Sequence, residues 1–215
     1  MTENTDNQFE EIDRIVNWTL PGLTMYYRDS ELSQSIIDKY EIKKIFRSQT
    51  FVDVSNYAGK PTTNCRFIIA SSKAAPLYKF NPKTEKWGLH VINCNSFFKV
   101  LDVYRKEEIT QILILHIPYK GIDLFKNTVI FIGEENFEED IILKSRLSLD
   151  KKINLESPAA LNEREWLIRT CFPIGLDDNN EFFSLMPTEQ LSLEAQILHS
   201  AIKKLTNDLS DLNEI

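Results

Sequence analysis

Glycine is scarce in this chain, six in 215 residues, and its three cysteines stand apart with no CxxC pair. Without a GxxxxGK[ST] or GxGxxG run, no loop is built to cradle a phosphate on backbone amides. The scattered, odd-numbered Cys65, Cys94 and Cys171 argue against a disulfide framework and read as reduced thiols of a cytoplasmic protein. HExxH and histidine-rich tracts are absent too, so no metal or cofactor is called for. The most apolar run, Ile112 to Leu115, stops at His116, far short of a bilayer crossing. The start, MTENTDNQFEEIDR, lacks the basic and apolar segments of a signal peptide. Positive charge is also short: 25 Lys and Arg against 32 Asp and Glu give a net charge of −7. Backbone binding to nucleic acid needs clustered cations, so nucleic acid and membrane are set aside as partners.

What is present suits a globular domain. Apolar residues make up 42% and charged residues 27%, with thirteen Phe and seven Tyr for a core. Phe9, Ile12, Ile15 and Val16 have helical spacing, ended by Pro21-Gly22, and a second helix is expected after Ser30 as its N-cap. From Ile45 to Gly133 the residues favour strands: Phe46 to Val54, then Asn64 to Ala70. Leu77–Phe80 and Lys86–Ile92 read as a hairpin turning at Asn81-Pro82-Lys83-Thr84. Phe97–Tyr104 and Ile109–Ile117 read as another, and Asn127 to Ile132 as a further strand. Ile112 to Ile117 is apolar on both faces, so that strand should be covered on both sides. The fold class that follows is α+β. A central antiparallel sheet of six or seven strands, meander-like, lies under N-terminal helices and a long C-terminal helix. Past Gly133 an acidic, less regular stretch is expected, then a short helix from Ser157-Pro158 to Arg169. Residues 1–187 form the domain, and 188–215 an amphipathic helix launched at Pro187-Thr188.

That last segment has the firmest pattern. Leu191, Ala195, Leu198, Ile202, Leu205, Leu209 and Leu212 follow at steps of four and three, which places them along one side of a helix. Leu193, Ile197 and Ala201 widen the apolar face over the first half, which is therefore expected to pack on the sheet. Leu205, Leu209 and Leu212 remain as a narrow seam for a partner: another protein, for which the acidic charge suits a basic one, or a second copy of the chain.

Catalytic patterns are sparse. A nucleophile needs a base within reach, and Cys94 with His116 is the best-placed pair, each near a strand end. His116, Tyr119 and Lys120 leave the most buried strand together. Ser71-Ser72-Lys73 lacks SxxK spacing and reads as a turn, while Asp177-Asp178-Asn179-Asn180-Glu181 lacks the glycine of a calcium loop. The reading favoured by the sequence is a cytoplasmic protein-binding chain without catalysis of its own: an adaptor, assembly factor or immunity-type inhibitor. The alternative is a hydrolase or nuclease-like enzyme with a site near Cys94, His116 and Lys120.

Overall fold

The computed structural model of the chain describes residues 3–129, 131–132, 135–186 and 191–213. Helix α1 (Glu3–Thr19) leads to strand β1 (Thr24–Ser30), short helix α2 (Gln34–Ile37), and strands β2 (Ile45–Ser48), β3 (Val52–Ser55), β4 (Cys65–Ser71) and β5 (Ala74–Ala75). Two 3-10 turns, Leu77–Lys79 and Pro82–Trp87, precede β6 (Leu89–Ile92), β7 (Ser96–Lys106) and β8 (Ile109–Ile117). Helix α3 (Ile122–Asn127) follows, then the two-residue pair β9 (Phe131–Ile132) and β10 (Glu135–Asn136). Helices α4 (Phe137–Lys152), α5 (Arg164–Thr170) and α6 (Leu193–Leu205) complete the order.

The fold is mixed α+β, with one eight-stranded, mostly antiparallel sheet in the order β2-β7-β8-β4-β1-β3-β6-β5. It is not a meander, since β7 and β8 insert between β2 and β4, and β4 runs parallel to β8 with Ile68 opposite Leu113. The β7–β8 hairpin stands where the alternation placed it, turning at Glu107, whose φ of 54° is left-handed. Ile112, Leu113, Ile114 and Leu115 are all fully buried, so β8 is covered on both faces as its residues demand. One face packs Tyr26, Phe67, Ile69, Phe98, Ile112 and Ile114 beneath Tyr40 and Ile174. The other packs Ile68, Phe97, Leu113 and Leu115 against Ile15 and Trp18 of α1, Phe125 of α3 and Ile141 of α4. Each such side chain contributes about 1.5–3 kcal/mol by leaving water.

Several expectations are corrected. β1 lies inside the sheet, although TMYYRDS carries little apolar periodicity, and Ser30 ends that strand instead of capping a helix. The hairpin over Leu77–Ile92 does not form. Asn81 Oδ1 accepts the Lys83 amide and Pro82 opens a 3-10 turn, so β6 pairs with β3 and β5. The extended run Phe46–Val54 breaks into β2 and β3, and the strand expected over Asn127–Ile132 shortens to β9. The acidic stretch folds as α4, because Asn136 accepts the Glu138 and Glu139 amides. Glu138, Glu139 and Asp140 then sit at the positive end of its dipole, and Lys151 and Lys152 at the negative end. The proposed start of the last helix, Pro187-Thr188, lies outside the described residues; α6 is capped by Ser192, whose hydroxyl accepts the Ala195 amide. Its Leu198 and Ile202 meet Ala75, Trp87 and Trp166 at the β5–β6 side, not the doubly covered strand β8.

Candidate functional site

Alternation along β1 sends Tyr26, Arg28 and Ser30 to one face of the sheet, under the segment that leaves α5. That segment is held by its carbonyls. Ser30 Oγ donates to Thr170 O at 2.6 Å, Arg28 Nη2 to Phe172 O at 2.7 Å, and Tyr40 OH to Ile174 O at 2.7 Å. Gly175, at φ +83°, presses against the Phe46 ring so closely that a Cβ there would lie 2.4 Å from it. A cleft of about 310 Å³ opens beside this strap, lined among others by Arg28, Asp53, Arg169, Phe172 and Phe183.

Arg28 is 6% exposed. Its Nη1 reaches Asp53 O at 3.2 Å, while Nε is buried with no hydrogen-bond partner among the described residues. Burial pulls its pKa down and the Asp53 charge opposes that pull, and a guanidinium stays protonated throughout. Arg169 Nη1 pairs with Asp53 Oδ2 at 2.8 Å at the cleft edge. Sequence reasoning missed all three residues, since a cleft of this kind joins β1, β3 and α5 across more than a hundred residues.

A second cleft, of about 170 Å³, brings Cys94 and His116 together, with Lys73, Asn93, His199 and Asp208 also in its walls. Lys120 is elsewhere, 3.4 Å from Asp211 on a shallow surface beside Tyr119 and Met186. The histidine that meets Cys94 is His199 of α6, Sγ to Nδ1 3.5 Å, which the sequence reading did not consider. Burial pushes the Cys94 thiol up to about 11, so it rests protonated. His116 Nδ1 lies 2.8 Å from Ser71 Oγ. Burial, aided by the Lys73 charge, pushes the His116 pKa down to about 3.

The leucine seam is divided. Leu212 is buried at 2% in a separate 3-10 turn, so it is not a surface contact; Leu205 and Leu209 are 40% and 70% exposed. The row that was expected to face inward, Leu193 and Ile197, is exposed at 69% and 64%. Among the described residues, no three His, Cys, Asp or Glu are grouped to hold a metal ion, and no helix is long and apolar enough to cross a membrane.

No family model and no curated protein matches the chain. Solved structures do. The type III effector XopAI from Xanthomonas axonopodis pv. citri matches at 12% identity and TM-score 0.38, over 47% of this chain and 46% of that one. Vis toxin, an ADP-ribosyltransferase from Vibrio splendidus, matches at 15% and 0.38, over 49% and 52%. The Clostridium limosum C3 exoenzyme matches at 11% and 0.38, over 54% and 70%. The chain thus spans about half the length of the first two. The expectation of a protein-binding chain without catalysis is corrected here: the structures it resembles are those of toxins, effectors and ADP-ribosyltransferases.

Proposed function

We propose that this chain is an enzyme acting on a phosphate-bearing nucleotide held in the Arg28 cleft. The observation that carries the reading is Arg28 itself, a buried guanidinium one partner short at Nε beside an open cleft. A buried donor without a partner is rare and costly, and a phosphate is the group a guanidinium fork fits best. Arg169 adds a second fork at the edge. A phosphate entering there takes Arg169 from Asp53 and leaves that carboxylate free to accept a proton or a hydrogen bond from a hydroxyl. Phe172 and Phe183 supply ring faces for a base.

ADP-ribosyl transfer, the activity named for Vis, is the specific reaction to try, because an ADP-ribosyl group carries two phosphates between two sugars. The test is thermal unfolding of the whole chain with NAD, ADP-ribose and pyrophosphate, alongside transfer of label from NAD to added protein. A ligand that binds only the folded state raises the midpoint with concentration. We expect that rise in the native chain and a loss of affinity of at least ~10-fold in Arg169→Gln, whose side chain is part-exposed and tolerates replacement. No rise with any of the three ligands, or an unchanged affinity in Arg169→Gln, overturns the assignment.

A further inference from the structure

We propose that the second cleft, between the β6–β7 turn, the end of β8 and α6, binds a small carboxylate through the Lys73 ammonium and the Nε2–H of His116. The tautomer follows from the hydrogen bonds. Ser71 is fully buried and its Oγ accepts the Lys73 backbone amide at 3.0 Å; among the described residues the acceptor in reach of its own proton is His116 Nδ1, 2.8 Å away. The ring proton is therefore on Nε2. His116 is 4% exposed, lines the cleft, and has no partner for Nε2 among the described residues. A polar N–H left over at a cavity wall is completed by whatever the cavity holds.

The charges around it select the ligand. Lys73 lies over the Trp18 ring, 5.5 Å from its centroid, and has no carboxylate partner among the described residues. Among the described residues the one carboxylate of the wall, Asp208, is already engaged. It accepts from Trp18 Nε1 at 2.6 Å, Ser210 Oγ at 3.2 Å and Asn213 Nδ2 at 3.0 Å. His116 stays neutral near pH 7, held low by burial, and burial lowers His199 as well. One ammonium and one N–H match the two oxygens of a carboxylate, whereas phosphate, which carries more than one negative charge at that pH, is left under-compensated. The cavity of about 170 Å³ has room for an acid of a few carbons. Cys94 borders the same space as a protonated thiol and takes no covalent part.

The experiment is imidazole 15N NMR of the whole chain, titrated with acetate, chloride and phosphate at matched ionic strength. We expect His116 to show the Nε2–H tautomer and a saturable shift with acetate. Lys73→Met keeps a stem on Trp18 and should weaken acetate by at least ~10-fold, while Lys120→Met, outside both clefts, leaves it unchanged. An Nδ1–H tautomer, no saturable acetate shift, an equal response to chloride, tighter binding of phosphate, or equal affinity in Lys73→Met each overturns the proposal. None of these outcomes bears on the Arg28 cleft, where Lys73 and His116 have no place.

Discussion

In the Arg28 cleft most donors are already engaged by the chain's own carbonyls, whereas in the Cys94–His116 cleft a ring nitrogen and an ammonium are left over. Arg28, Ser30 and Tyr40 fasten Phe172, Thr170 and Ile174 across the sheet, so the charge there is structural before it is functional. In the second cleft Asp208 accepts from Trp18, Ser210 and Asn213 and the imidazole is neutral, so the Lys73 ammonium has no carboxylate partner among the described residues. The difference teaches where a substitution should cost stability and where it should cost only a ligand.

The largest expected effect breaks the first cleft. Arg28→Met removes the donors to Asp53 O and Phe172 O and strands two carbonyls in a dry place. Bonds from a charged donor are worth about 1.5–3 kcal/mol each, so the loss of two should be about 3–6 kcal/mol by denaturant unfolding. A loss under ~1 kcal/mol, against the usual cost of such removals, would show that the strap is not held by Arg28.

The second effect is one of pH, and belongs to His116. Its pKa falls on folding from 6.5 to about 3, so between those values the unfolded chain binds a proton that the folded chain refuses. Stability therefore falls as pH drops through 6.5, and by about pH 4 the loss should reach roughly 3 kcal/mol from this group alone. His116→Gln, which keeps a hydrogen-bonding group toward Ser71, should flatten that part of the profile. His90 and His199 are lowered too, both chiefly by burial, and act in the same direction. An unchanged pH profile in His116→Gln would place the acid sensitivity on those two instead.

How far the sequence reached differs between these regions for a physical reason. Strand β8 and its hairpin with β7 were legible because their burial is written in local alternation, two apolar faces over consecutive residues. Strand β1 was not, since Tyr26, Arg28 and Ser30 gain their place through partners up to 144 positions away. Cys94 and His116, singled out because each stands near a strand end, line one cleft, yet the base that touches Cys94 comes from α6, 105 positions on. Nothing local marks such a meeting. Lys120 failed for the opposite reason: nearness in sequence to His116 does not survive the turn at Pro118, after which Tyr119–Gly121 winds away as a 3-10 helix.

Helix α6 gives the smallest effect and the sharpest test of the second cleft's wall. Its period foretold an amphipathic helix, but two rows satisfied that period, and only packing could choose between them. Ile202 is 1% exposed against Trp87 and Trp166, while Ile197 is 64% exposed. Removing one methylene at a filled site leaves a gap that the neighbours close only in part. Ile202→Val should therefore cost about 1 kcal/mol, and Ile197→Val should stay within ~0.5 kcal/mol of the native chain. His199 lies three residues before Ile202 on the same helix, so a loosened anchor should also lengthen its 3.5 Å contact to Cys94. Faster alkylation of Cys94 in Ile202→Val, with Cys171 as the exposed reference, would read that movement directly; equal rates would mean that α6 is fixed by its other contacts.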